Sequence, residues 1–443
     1  MAGVGSTASA RECALTVVRR VFEQHAYADR ALHAEAAGLD PRERAFAMQL
    51  AYGTVQRRAT LDHVGQALVA RPLASLEPGL LAVLRLGLFQ LLFLDGVADH
   101  AAVNESVELA KRVSRGGAGL VNAVLRRAVG QRGTLLDGLN DRTPAAAAIL
   151  HSVPEWLAEL WWDELGSGPA RELLWRINQP AESAVRVNTL VASTAEVLDE
   201  LPARPAPGIP EGLVLDAAVD VHATELWRRG AIMPQSRGSM HIARALAPRP
   251  GEAVLDLCAA PGGKTTQLAA LMGDRGSVLA VERHPGRAQA LERTCARMQA
   301  GCVRVEVADA AIPRAGGQFD RVLVDPPCSG LGTLQSRPDL RWRVNRNSIA
   351  ELAGLQARIL AAGAAATRPG GVLIYSVCTI SRAESADVID SFLESRPEWR
   401  GHHAGIEQAG GRDPWSGRGV QLVPSRDGTD GFFVARLIRG EPR

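Results

Sequence analysis

From residue 9 to about 130, apolar positions recur three and four apart, the spacing of helices that bury one face. The segments "CALTVVRRVFEQHA" (13–26), "ERAFAMQLAYGTVQRRATLDHV" (43–64), "LLAVLRLGLFQLLFL" (80–94), "AVNESVELAKRV" (102–113) and "LVNAVLRRAV" (120–129) all follow it, punctuated by Pro41, Pro72, Pro78 and Gly116-Gly117. The pattern predicts an all-helical domain over 1–135. Residues 150–245 are mixed, with helical "SVPEWLAELWWDEL" and "ARELLWRIN", an extended "SAVRVNTL" and the Pro-rich loop "LPARPAPGIPEG". They predict a small α+β segment. From 246 to 443 the rhythm changes. Short apolar runs "AVLDL", "SVLAV", "VRVEV", "RVLV" and "GVLIYS" alternate with the helical "TTQLAALM", "PGRAQALERTCARMQ" and "SIAELAGLQARILAAGAAA". Such alternation predicts an α/β domain with a mainly parallel sheet covered on both faces. A last pair, "VQLVPS" and "GFFVARL", reads as an antiparallel addition.

Composition adds little to this frame. The 443 residues are 46% apolar and 22% charged with a net charge of +2, an ordinary globular balance that argues neither for nor against nucleic acid. No run approaches the length of a membrane span. The start "MAGVGSTASARECAL" has no basic region followed by an apolar core, so a cytoplasmic chain is expected. The cysteines at 13, 258, 295, 302, 328 and 378 show neither zinc spacing nor a disulfide framework, and no metal is expected. Cys13, Cys295 and Cys302 read as small buried residues. Arginine carries nearly all the positive charge, with lysine only at Lys111 and Lys264. The pairs Arg19-Arg20, Arg57-Arg58, Lys111-Arg112 and Arg126-Arg127 fit either solvated helix faces or RNA contact.

In parallel sheets ligands bind beyond the carboxyl ends of the strands. After the first strand comes Cys258-Ala259-Ala260-Pro261-Gly262-Gly263-Lys264, close to a triphosphate loop. That loop needs glycine where Cys258 stands, and Pro261 removes a backbone donor, so triphosphate binding is set aside. The next three strands end near Glu282, Asp309 and Asp325. Acids at successive strand ends suit a nucleoside with hydroxyls and amines, Glu282 on the ribose and Asp309 on the adenine. S-adenosylmethionine fits best. Cys328 follows Asp325-Pro326-Pro327, and Cys378 ends a later strand. An amino-group methyltransferase would carry an aromatic residue after Asp-Pro-Pro; a thiol there suits a pyrimidine carbon instead. A thiolate adding to carbon 6 makes carbon 5 nucleophilic, and a base must then remove the carbon 5 proton. Asp325 is placed to stabilise the charge that develops in the addition.

The motifs "DLCAAPGGKT", "VDPPCSGLGTLQSRPDLRW", "YSVCTISRAES" and "DGTDGFFVARL" resemble the RNA cytosine-5 methyltransferases of the NOL1/NOP2/Sun family. The helical start resembles the NusB-like domain of its bacterial RsmB/Sun branch, which acts on small-subunit (16S) ribosomal RNA. The resemblance implies a Rossmann-like methyltransferase core over 246–443 behind a NusB-like RNA-binding domain. It implies Cys378 as nucleophile, Cys328 as the residue that assists product release, and contact of Cys258–Lys264, Glu282, Asp309 and Asp325, with help from Arg287, to S-adenosylmethionine. Where the family often has Thr-Cys-Ser, this chain has Val377-Cys378-Thr379, and Ser385 stands where Asn commonly follows the acid at Glu384. In "SRPDLRWRVNRN", Arg337, Arg341, Arg343 and Arg346 around Trp342 read either as phosphate and base contacts or as a solvated loop. Single-stranded or looped RNA is the expected partner, since the reacting base must leave its stack. Nothing demands more than a monomer. Transfer RNA as substrate, amino-group methylation and a non-enzymatic NusB-like assembly factor remain the alternatives.

Overall fold

The computed structural model describes residues 9–314, 318–402 and 417–441. The opening eight residues, on which the reading against a leader partly rests, lie outside them. The chain divides into two compact units, residues 1–178 with 334–343, and residues 179–333 with 344–443.

The first unit is helical, as the three-four periodicity predicts. Helices Ala10–Glu23, Pro41–Gln56, Pro78–Phe93, Asp99–Val113 and Gly117–Gln131 bury one core of Leu, Val and Ala side chains. The long 43–64 pattern breaks at Arg57, where ψ turns to 12°, into Pro41–Gln56 and Arg58–Leu68. Helix Pro78–Phe93 is apolar nearly all round and correspondingly buried on most of its surface.

The unit does not end at the break expected near 135–150. Helices Pro144–His151, Glu155–Leu165 and Ser167–Arg176 belong to it. Thr60 Oγ1 donates to the Ile149 carbonyl at 2.6 Å, the Ser152 hydroxyl accepts from Ala59 N–H at 2.9 Å, and Gln56 Nε2 donates to Ile177 at 3.1 Å.

Two charge readings change here. The paired arginines are occupied within the unit: Arg19 with Glu23, Arg20 with Glu35, Lys111 with Glu108, Arg112 with Glu12, and Arg127 on the Leu68 carbonyl. Arg126 donates to Asn122, Arg58 stacks over Phe22, and Arg57 stacks over Phe93. The segment 334–343 is likewise no solvated loop. Arg341 is fully buried and donates to the carbonyls of Gln56, Ser152 and Ile177, each at the C-terminal end of a different helix. Those carbonyls have no partner inside their own helices and carry the negative end of the helix dipole, which is why a guanidinium settles there. Trp342 Nε1 donates to Val55 at 2.7 Å with Arg58 over its ring, and Arg343 lies over Tyr27. Arg341 and Trp342 are therefore structural, not the RNA contacts their composition invited.

The second unit opens with a four-stranded antiparallel sheet of β1 (Ala184–Val187), β2 (Ala203–Pro205), β3 (Gly212–Leu215) and β4 (Ile232–Pro234), ordered β2-β3-β1-β4. Part of the Pro-rich loop is thus β2. The larger sheet contains β5 (Ala253–Leu257), β6 (Ser277–Glu282), β7 (Val303–Val307), β8 (Phe319–Val324), β9 (Thr367–Val377), β10 (Trp399–His402), β11 (Val420–Leu422) and β12 (Phe432–Arg439). Its order is β10-β12-β9-β8-β5-β6-β7, with β11 beside β12. Strands β5 to β9 pair in parallel and β12 runs antiparallel to β9, as the alternating pattern predicts.

The strand pleat assigns the two faces. Val254, Leu323, Val372 and Ile374 meet the helices Arg237–Leu246 and Gly263–Leu271. Leu255, Val322, Val324, Leu373 and Tyr375 meet Arg346–Ala366 and Ala386–Ser395. One expectation fails here: Arg346–Ala366, at 21 residues with a mean hydropathy of 1.2, is long and apolar enough to span a membrane. Its Ile359 and Leu360 pack on β8 and β9 instead, which accounts for its apolarity as a sheet-covering helix.

Candidate active site

Strand β5 leads directly into the loop Cys258–Lys264. Cys258 takes a left-handed backbone conformation (φ 67°), the Ala260–Pro261 bond is cis, and Gly262 has φ 104°. A Cβ at Gly262 would also lie 2.7 Å from Leu291, so both backbone and packing require glycine. Ala259 N–H donates to the β6 residue Val281, and Arg287 donates to the Ala260 carbonyl at 2.8 Å. Gly263 then opens the helix Gly263–Leu271. Behind the loop, Asp256 is buried. Thr265 donates to one oxygen at 2.6 Å, and the other has no protein partner. Burial pushes this carboxyl up to about 7 against the opposing Thr265 bond.

Two of the three strand-end acids stand at the ends of the neighbouring strands β6 and β7. Glu282 is buried at the end of β6, accepts from His284 N–H at 2.9 Å and lies 3.4 Å from Arg287. Asp309 follows β7 and accepts from Ala311 N–H at 2.9 Å, a local turn bond. The set offers a glycine turn open to close approach, an unsatisfied buried carboxylate oxygen and acids at consecutive strand ends. Its polar donors and acceptors fit a nucleoside-bearing ligand such as S-adenosylmethionine.

On the other side of β5 the structure brings Asp325, Cys328, Cys378 and Lys264 together. Cys328 Sγ and Cys378 Sγ are 3.3 Å apart, although 50 residues separate them in the chain. Asp325 has both oxygens engaged, one by Lys264 Nζ at 2.8 Å and one by Ser376 Oγ at 2.9 Å. Lys264 also lies over the Phe432 ring at 5.1 Å. Burial works against its charge, but Asp325 and then the Cys378 sulfur outweigh it and raise its pKa. The ammonium is therefore cationic, with the Cys378 sulfur within reach of its field. Cys328 is held well above the usual thiol range by its bond to Cys378, then by burial, then by the charges of Glu384 and Asp325.

Sequence reasoning placed Lys264 in the donor loop and missed its pairing with Asp325. The signal was the position of the second lysine of the chain, one residue after the Gly-Gly turn. It also missed Ser376, and it singled out Glu384 without the contacts of its buried carboxylate, which accepts from the residue after each cysteine. Among the described residues no group of three or more His, Cys, Asp or Glu side chains is arranged to hold a metal ion.

Comparison with known proteins agrees with this architecture. Three family models match successive parts of the chain: the NusB family over 8–129, the ferredoxin-like domain of RsmF/B-like methyltransferases over 153–222, and 16S rRNA methyltransferase RsmB/F over 243–438. A protein of Synechocystis described as "Probable ribosomal RNA small subunit methyltransferase B" is 35% identical, over 97% of this chain and 99% of its own. The Thermus thermophilus "Ribosomal RNA small subunit methyltransferase B" is 35% identical over 90% of this chain and 89% of its own. The crystal structure of PH0851 superposes with a TM-score of 0.80 at 25% identity, covering 98% of this chain and 99% of that one.

Proposed function

The chain belongs to the 16S rRNA methyltransferase RsmB/F family, and from that premise we propose that it methylates carbon 5 of a cytosine in small-subunit ribosomal RNA, in the cytoplasm, through a covalent cysteine adduct. The observation that carries this reading is the pair of thiols 3.3 Å apart beside the Lys264–Asp325 ion pair. S-adenosylmethionine, when bound, supplies an electrophilic methyl group. The backbone of Cys258–Lys264 would hold it, with Glu282 on the ribose, Asp309 on the adenine amine and Asp325 at the edge towards the cysteines.

The environments divide the work between the two sulfurs. Beside the Lys264 ammonium, Cys378 is favoured as thiolate and adds to carbon 6 of the cytosine. The electron pair this delivers makes carbon 5 nucleophilic enough to take a methyl group. Asp325, fixed by Lys264 and Ser376, faces the cytosine N3 and N4 edge, where charge changes during addition. The carbon 5 proton then passes to solvent water, the pair of the broken carbon–hydrogen bond re-forms the 5,6 double bond, and the Cys378–carbon 6 bond breaks with its pair returning to sulfur. Cys328, kept protonated by its surroundings and 3.3 Å from Cys378, assists that release by donating to the departing sulfur.

The test is a denaturing gel of Cys328→Ala and Cys378→Ala proteins incubated with small-subunit RNA and S-adenosylmethionine. A protein–RNA band is expected with Cys328→Ala and none with Cys378→Ala. The reverse pattern would exchange the two roles. Methyl transfer surviving both substitutions would overturn the thiolate mechanism in favour of amino-group methylation.

A further inference from the structure

We propose that Glu384 is a positioning residue that fixes the two thiols at their reactive separation; this rests on the reading of Cys378 and Cys328 as the reacting pair. The ladder between β8 and β9 ends at Val324 opposite Tyr375, so both cysteines lie beyond it, and past that point the Gly332 N–H donates to the Cys378 carbonyl at 3.0 Å. Sheet pairing alone leaves their separation open. The Glu384 carboxylate closes that gap.

Glu384 is fully buried in the turn Arg382–Glu384. Its Oε1 accepts from Ser329 N–H at 2.8 Å and from Gln356 Nε2 at 2.9 Å. Its Oε2 accepts from the Ser329 hydroxyl and from Thr379 Oγ1 at 3.4 Å. Ser329 follows Cys328 and Thr379 follows Cys378, so one rigid group fastens the residue after each sulfur. The two hydroxyls also bond each other at 2.6 Å. Gln356 Nε2 reaches the carbonyl of Pro327, immediately before Cys328, at 3.0 Å. Tyr375 O–H lies 2.6 Å from the Glu384 carbonyl and 3.1 Å from Gln356 Oε1. Both thiol loops are thus tied to one carboxylate, inside a network whose other members are buried too.

Four donor groups surround the two oxygens; each hydroxyl has one proton, so the Ser329–Thr379 bond leaves three of the four donating to Glu384 at a time, and an amide would turn its NH₂ toward some of these. Burial raises the carboxyl's pKa against those bonds. The carboxylate's charge also contributes to holding Cys328 protonated.

The experiment uses the full-length chain and its Glu384→Gln and Ser329→Ala variants. The first readout is the rate at which diamide closes a Cys328–Cys378 disulfide, followed by peptide mapping, which reports the approach of the sulfurs without any methyl transfer. The second is kcat and KM for RNA, with the Kd for S-adenosylmethionine as a check on the donor loop. Since a misplacement of about 1 Å lowers rates by about 100-fold, Glu384→Gln is expected to slow both disulfide closure and kcat by that order. Donor Kd should stay within about twofold, because the carboxylate lies on the cysteine side of the site. Ser329→Ala, which removes one of the four donors, should move both rates in the same direction by about tenfold. Unchanged closure in both variants overturns the clamp, as does slowed closure with unchanged kcat. If Glu384→Gln fails to bind the donor, Ser329→Ala decides by the same two readings. Slowed closure together with a wild type that transfers no methyl group leaves the clamp standing and removes the functional reading instead.

Discussion

Arg341 and Glu384 are the same physical device put to two uses. Each is an ionisable side chain with no exposed surface, and each is held by a ring of hydrogen bonds, although the Arg341 Nε has no partner among the described residues. Arg341 donates to backbone carbonyls at the ends of three helices, with further bonds to Asn178 and Leu334. Glu384 accepts from the residues that follow Cys328 and Cys378. Among the described residues neither has an opposite charge as a direct partner, so each depends on its polar neighbours to offset desolvation. The difference is what is being held. Three helix ends make a stable unit, whereas the two thiols at 3.3 Å are the pair on which the proposed reaction rests. Burial and charge alone do not mark a functional residue; the groups at the far end of its bonds do.

Three perturbations bear on that contrast. Arg341→Met leaves several helix-end carbonyls without a donor, and at about 1 kcal/mol each the helical unit should lose roughly 3 kcal/mol. Hydrogen exchange in Pro41–Gln56 and Ser167–Arg176 reads this directly; unaltered protection there would show that Arg341 holds nothing. Lys264→Met removes the cation from a partly exposed pair, 14% and 26% accessible. Its stability cost should be about 1 kcal/mol or less. Activity should respond far more, with a drop on the order of 100-fold and the acid limb of the rate profile moved to higher pH, since the ammonium no longer favours the thiolate. A melting shift as large as that of Arg341→Met, with an unmoved pH profile, would class Lys264 with Arg341 instead.

The third perturbation, Asp256→Asn, is read through its pH dependence. The Asp256 carboxyl is raised from 3.8 to about 7, first by burial and against the Thr265 bond. The folded donor-free protein therefore binds this proton more tightly than the unfolded chain. The contribution is fully present below about pH 4 and is lost as pH rises through about 7. Melting temperatures from pH 4 to 8 should show the wild type losing stability relative to the variant over that window. Parallel curves would mean that Asp256 is ionised throughout.

Much of the α/β unit was legible because parallel strands buried on both faces produce apolar runs such as "AVLDL" and "RVLV", and because the glycines at 262 and 263 admit few backbone readings. The helical unit was legible in its periodicity but not in its extent. Helices 144–176 join it through side-chain bonds such as Thr60 to Ile149, which carry no local sequence signal. The arginines misled for a related reason. A guanidinium suits a phosphate and a helix C-terminus equally, and only the surrounding carbonyls distinguish the two. Glu384 was visible as an acid near a cysteine, but its four donors come from three separate elements.

The sequence by itself determined which elements form and which chemistry the chain carries, since hydrophobic period, glycine turns and the identity of nucleophiles and acids are local properties. Only the tertiary structure decided which of those residues meet. Cys328 and Cys378, 50 residues apart, become neighbours because β8 and β9 pair in parallel, and Arg341 becomes structural because three helices end around it. Proximity across the chain depends on how packed elements align, and that alignment is written in no single segment.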